Sequence, residues 1–175
     1  MSSFSTAFYF GGKMRYFEKI SFEQFKKDVC DDKELYDSIE LPKRKTKYSA
    51  GYDITSVNGG IIKPGCSMIF KTGLKSYFES DEVLYIIVRS SIGFKNDTTL
   101  SNSVAVIDAD YYNNENNEGH ILVKLINHGK EDIEIKVGDR IAQGIFMKYL
   151  TVLNEEEIVN ERNGGVGSTN RKEKK

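Results

Sequence analysis

The chain has 175 residues and a formal net charge of −1, enough for one domain with a sizeable core and too balanced to recruit nucleic acid or an anionic membrane. No apolar run reaches the length of a transmembrane helix. Cys30 and Cys66 are too few and too isolated for a disulfide framework or a zinc site, so they read as free thiols in a reducing cytoplasm.

Residues 1–13 are rich in Ser and aromatics, with a Gly11-Gly12 break and no basic segment ahead of Phe8. They read as a leader or flexible extension and not as a secretory signal. Residues 14–20 alternate as a strand does. Ser21 then opens a short helix, with Gln24 three residues on as in a capping box and Phe22, Phe25 and Val29 on one face. The charges at Lys26, Lys27, Asp31, Asp32, Lys33 and Glu34 form its solvated side.

From Leu41 the period changes. Short apolar runs recur at 51–57, 61–62, 66–70, 83–88, 103–107, 120–126, 133–137 and 141–149. Turn signals separate them at Asn58-Gly59-Gly60, Lys63-Pro64-Gly65, Asn127-His128-Gly129 and Gly138-Asp139. This spacing predicts an all-β antiparallel sandwich, barrel or jelly roll with one or two short helices. Residues 133–137 alternate strictly, so one face is wet. Residues 83–88 are nearly continuous, so that strand is covered on both faces. Residues 113–118, a run of Asn and Glu, read as an exposed loop. The tail at 154–175 is Gly-rich and charged, unable to build a core of its own. The layout is therefore an extension at 1–13, a β domain at 14–153 and an arm at 154–175.

The chemistry-bearing residues fall between these strands. Val104, Val106 and Ile107 run into Asp108, Asp110, Tyr111 and Tyr112. A carboxylate at the end of a hydrophobic strand is expected to be held rigidly and partly desolvated, beside an aromatic face suited to a ring-shaped ligand. Arg89-Ser90-Ser91-Ile92-Gly93 follows the covered strand. There Ser is expected to cap a helix, while Arg89 offers a guanidinium fork for phosphate oxygens. Asp139 and Arg140 read as bracing a turn with an ion pair, and Gln143 as a donor to a ligand oxygen. His120 and His128 lack metal spacing and read as surface residues.

Together and in this order, these segments resemble the five short motifs of the trimeric all-β deoxyuridine triphosphatases (dUTPases). The counterparts are Ala50-Gly51-Tyr52-Asp53-Ile54, Arg89-Ser90-Ser91-Ile92-Gly93, residues 104–111, residues 138–143 and residues 162–169, with Thr72-Gly73-Leu74 also fitting. The resemblance implies a jelly-roll or β-clip protomer, a homotrimer with active sites at subunit interfaces, and Mg²⁺-assisted hydrolysis of dUTP to dUMP and pyrophosphate. It implies that Asp108 orients and deprotonates the attacking water and that Tyr111 packs on the deoxyribose. Backbone groups between Asn102 and Ile107, Val106 among them, would read the uracil edge. Arg89, Ser90, Ser91 and Gln143 would hold phosphates, and Asp53 would meet Mg²⁺ only through water. Arg162, Gly167 and Ser168 would clamp the outer phosphates as the arm closes on a neighbouring site.

The sequence departs from the family pattern at Ala105, where Gly is usual, in the extra residues 113–118, and at Val166, which stands where an aromatic stacks on uracil. Loss of that ring is expected to weaken the clamp by about 1 kcal/mol. A dCTP deaminase shares the fold and the Arg-Ser-Ser motif, but Lys124 occupies the strand position where that family carries its glutamate. A regulatory protein-binding role for the scaffold is the alternative of another class. No nucleic-acid or membrane partner is expected.

Overall fold

The computed structural model describes residues 14–156 and Ile158, and all its strand pairs are antiparallel. The chain opens with β1 (Tyr16–Lys19), α1 (Phe22–Asp28) and α2 (Lys33–Ser38). There follow β2 (Tyr52–Thr55), β3 (Gly60–Ile62), β4 (Ser67–Lys71), β5 (Leu74–Tyr77) and β6 (Glu82–Val88). A third helix, α3 (Ser90–Asn96), leads into β7 (Thr98–Leu100) and β8 (Ala105–Ile107). The last strands are β9 (Leu122–Asn127), β10 (Ile133–Ile135) and β11 (Arg140–Lys148).

Four sheets form among the described residues, in the orders β2-β11-β6-β8, β4-β9-β7, β1-β5 and β10-β3. Non-consecutive neighbours dominate, so the chain crosses between sheets as a jelly roll does. β6 lies inside the four-stranded sheet and none of its residues is exposed, matching its near-continuous apolar run. In β10, Ile133 and Ile135 are buried and Glu134 is exposed, the wet face that the alternation predicts.

The core joins these sheets through Ile54, Phe70, Leu74, Leu84, Val123, Leu125 and Ile141, all at 0% exposure. Each such side chain contributes about 1.5–3 kcal/mol relative to an exposed one. The N-terminal elements belong to the same core, since Ile20 and Phe25 are also fully buried. Ser21 caps α1 by accepting the Gln24 N–H, as the sequence predicts. Gly73 sits at φ +69°, a left-handed conformation that favours Gly, and an added Cβ 2.6 Å from Ile39 Cδ1 would force that methyl to shift. Among the described residues, no helix is long and apolar enough to cross a membrane.

Two expectations need correction. Residues 113–118 are not simply an exposed loop: Asn114 is buried at 6%, and Asn117 and Glu118 are half-buried in a hydrogen-bonded knot. His120 is not a surface residue. It is fully buried, with Nδ1 2.6 Å from Asp28 Oδ2 and Nε2 accepting the Gly73 N–H at 3.0 Å. That pairing fixes the neutral ring with its proton on Nδ1. His128 is exposed, as expected.

Candidate active site

Pairing in the four-stranded sheet brings the first, second and fourth motifs together. Gln143 on β11 faces Asp53 on β2 on one side and Ile87 on β6 on the other. Arg89 follows the end of β6, two residues beyond Ile87. Its Nε donates to Asp53 Oδ1 at 2.8 Å, and Arg140 Nη1 donates to Asp53 Oδ2 at 3.0 Å. Asp53 thus holds two guanidinium groups at one end of the sheet, leaving their remaining N–H donors for anionic oxygens. Arg140 therefore pairs with Asp53 and not with Asp139, whose carboxylate instead accepts the Lys136 N–H at 2.8 Å. Arg140 thus does not brace the turn through the ion pair with Asp139 that its sequence position suggests. The sequence places Arg140 at the head of a strand but does not say that this strand pairs with β2.

Gly51 explains itself here. A Cβ at this position would come within 2.2 Å of Gln143 Oε1, so the glutamine amide lies over a backbone that only Gly leaves open. Ser90 and Ser91 are exposed in the first turn of α3. Neither serves as the cap. Arg89 takes that place with no side-chain bond, and its Nη1 lies 3.4 Å from Ser91 Oγ. The serine hydroxyls therefore need not serve the helix end, which suits a ligand-facing role better than the expected cap.

The third motif lies elsewhere. β8 occupies the opposite edge of the sheet from β2, and Ile107 pairs with Leu84, three residues before Ile87. With strands about 4.8 Å apart and about 3.4 Å per residue, Asp108 sits roughly 20 Å from Asp53 in the same chain. Asp108 is also exposed, not desolvated by the chain's own core as expected. The strand it follows is short and ends at the rim of the sheet. Asn102 and Val106 are exposed nearby and Ile107 is half-buried. The turn that carries them holds Ser103 at φ +59°. Tyr111 is 7% exposed, and its hydroxyl donates to the His120 carbonyl at 3.0 Å. Arg162, Val166, Gly167 and Ser168 lie outside the described residues.

A cleft of about 360 Å³ opens between α2 and the turn before β11, lined by Leu35, Ile39, Thr55, Val57 and Arg140 among others. It shares Arg140 with the Asp53 cluster but holds neither Asp108 nor Gln143. Among the described residues, no group of three or more His, Cys, Asp or Glu stands ready to hold a metal. Both Asp53 oxygens already accept from arginines, so this carboxylate suits contact with a cation through water and not direct ligation.

The dUTPase family profile matches residues 37–170. The chain is 46% identical over 132 residues to a deoxyuridine 5'-triphosphate nucleotidohydrolase of Lactococcus lactis, covering 75% of this chain and 88% of that protein. A relative of the same name from Nautilia profundicola is 36% identical over 141 residues, covering 78% and 95%. Among solved structures, the dUTPase from Streptococcus mutans superposes with a TM-score of 0.65 at 39% identity, over 78% of this chain and 98% of that one. The dUTPase of phage phi11 of S. aureus, described with a structural Mg(II) ion, shares the fold at a TM-score of 0.62 and 17% identity, over 84% and 97%. With the matched profile spanning most of its length and the first, second and fourth motifs gathered in one sheet, this chain belongs to the dUTPase family.

Proposed function

We propose that the chain is a dUTP diphosphatase, acting as a homotrimer on dUTP and releasing dUMP and pyrophosphate. The observation that supports the reading best is the Asp53–Arg89–Arg140 cluster beside Gln143. It is a preformed cationic corner, with Asp108 exposed at the far edge of the same sheet. A substrate that needs both must lie between two subunits, so one chain's Asp108 works on a phosphate chain held by its neighbour.

In that arrangement Arg89, Ser90, Ser91 and Gln143 hold phosphate oxygens in line. Asp108 takes a proton from the water that attacks the α-phosphorus, and pyrophosphate leaves. Bound Mg²⁺ would offset charge on the phosphates, and Asp53, whose oxygens already accept from arginines, would reach it only through water. Backbone groups between Asn102 and Ile107 read the uracil edge, Val106 borders it, and Tyr111 closes on the sugar. The arm at 154–175, with Arg162, Val166, Gly167 and Ser168, closes over the outer phosphates and excludes bulk water. The exposed thiols Cys30 and Cys66 suit a cytoplasmic setting. Lys124 is exposed on β9, which supports hydrolysis over deamination.

Pyrophosphate release from dUTP, dTTP, dCTP and UTP, measured side by side, tests the reading. Activity is expected on dUTP alone, with Asp108→Asn losing at least about a thousandfold. Ammonia from dCTP, or full activity in Asp108→Asn, would overturn it.

A further inference from the structure

Residues 113–118 have a consequence for the tyrosine beside them. Asn114 Nδ2 donates to the Tyr111 carbonyl and to Asn117 Oδ1, both at 2.8 Å, while Asn114 Oδ1 accepts the N–H groups of Asn116 and Asn117 at 3.1 and 3.3 Å. Asn117 Oδ1 also accepts the Gly119 N–H at 3.2 Å. Its carboxamide is thereby oriented with nitrogen toward the tyrosine, and Nδ2 donates to Tyr111 Oη at 2.9 Å. Because that oxygen also donates to the His120 carbonyl, the phenol is tied at its far end as both donor and acceptor.

The knot is anchored from outside. The Glu118 carboxylate accepts the Ser21 N–H at 2.8 Å and the Ser21 hydroxyl, with Lys75 Nζ 3.4 Å away. Gly119 takes φ +82°, where an added Cβ would lie 2.6 Å from the Tyr111 carbonyl oxygen. The backbone around the tyrosine is thus packed without slack.

We infer that Asn117, oriented by Asn114, is a positioning residue for sugar selection: by holding the Tyr111 hydroxyl it fixes how closely the ring stands to the deoxyribose. This rests on the reading of Tyr111 as the wall against the sugar. A wall excludes one extra hydroxyl only if it does not yield, and a shift on the order of 1 Å admits an oxygen. Asn117 touches no substrate and acts through the ring.

The test compares kcat/KM on dUTP and UTP for the intact protein, Asn117→Ala, Tyr111→Phe, their double variant and Tyr111→Ala, each with a thermal melt. Loss of one neutral hydrogen bond predicts that Asn117→Ala lowers the dUTP:UTP ratio about fivefold to tenfold, with kcat on dUTP nearly unchanged. Tyr111→Phe lowers the ratio by a similar factor, and the double variant goes no further than either. An unchanged ratio in Asn117→Ala, or equal losses on both substrates, overturns the inference while leaving the tyrosine reading intact. An unchanged ratio in Tyr111→Ala overturns the tyrosine reading itself. If Asn117→Ala does not fold, Tyr111→Phe removes the same bond with the ring in place, and its unchanged ratio is equally fatal.

Discussion

Both carboxylate oxygens of Asp53 face guanidinium groups, and the amide of Gln143 lies over Gly51. Gly51→Ala would set a methyl where Gln143 Oε1 now rests, and the glutamine would have to swing away. Because the backbone at Gly51 needs no positive φ, the fold should tolerate the change with a loss of about 1 kcal/mol, whereas KM for dUTP should rise about tenfold. Steady-state kinetics beside a urea titration checks this, and an unchanged KM would remove Gln143 from the phosphate site. As residue types, Asp53, Arg89 and Gln143 were legible from the motif order. Their mutual contacts were not, because the sequence does not say which strands lie side by side. Arg140 was misread for that reason.

At the scale of elements, the N-terminal unit is locked to the β domain by charged and polar bonds as well as by apolar burial. Asp28, at the end of α1, meets His120, and Ser21, at its start, meets Glu118. Burial lowers the His120 pKa below its ordinary value, although Asp28 opposes the shift. Lys71 and Glu118 are the other charges that bear on it. The fold uses the neutral ring, so protonation would replace the Nε2 acceptor with a donor facing the Gly73 N–H. A depressed imidazole pKa means that stability is full above the unfolded value near 6.5 and falls as pH drops through the folded value. Glu118 behaves likewise at lower pH. Burial would raise its pKa, but Ser21 and Lys75 outweigh that and hold it below 4.5. Urea midpoints should therefore decline from pH 7.5 to pH 5, and His120→Gln should be less stable but flatter across that window.

Most strands were legible from alternation and turn residues. α2 was not, because none of its residues is buried and its caps lie in a charged run. β5 and β7 were also missed, since Leu-Lys-Ser-Tyr and Thr-Thr-Leu are too short and polar to show a period. The knot at 113–118 looked like a loop because its order comes from side-chain amides, which leave no hydrophobic trace.

For the whole molecule, the roughly 20 Å between Asp108 and Asp53 makes the proposed shared site a question of assembly. If each working site draws these residues from different chains, then Asp108→Asn and Arg89→Ala are each crippled apart and complement when mixed. Co-refolding equal amounts should restore roughly a quarter of the intact activity, the share of neighbouring pairs that unite two good halves. No recovery, in trimers shown by mass to be mixed, would return the site to a single subunit. This separation was invisible in the motif spacing, which orders residues along the chain without saying which copy supplies them.

The family match begins at residue 37, yet Phe17, Ile20 and Phe25 belong to the core and β1 completes a ladder with β5. A version trimmed to the profile's own span would lay open greasy sockets and a bare strand edge. It would be the kind of truncate that clumps, however complete its catalytic residues.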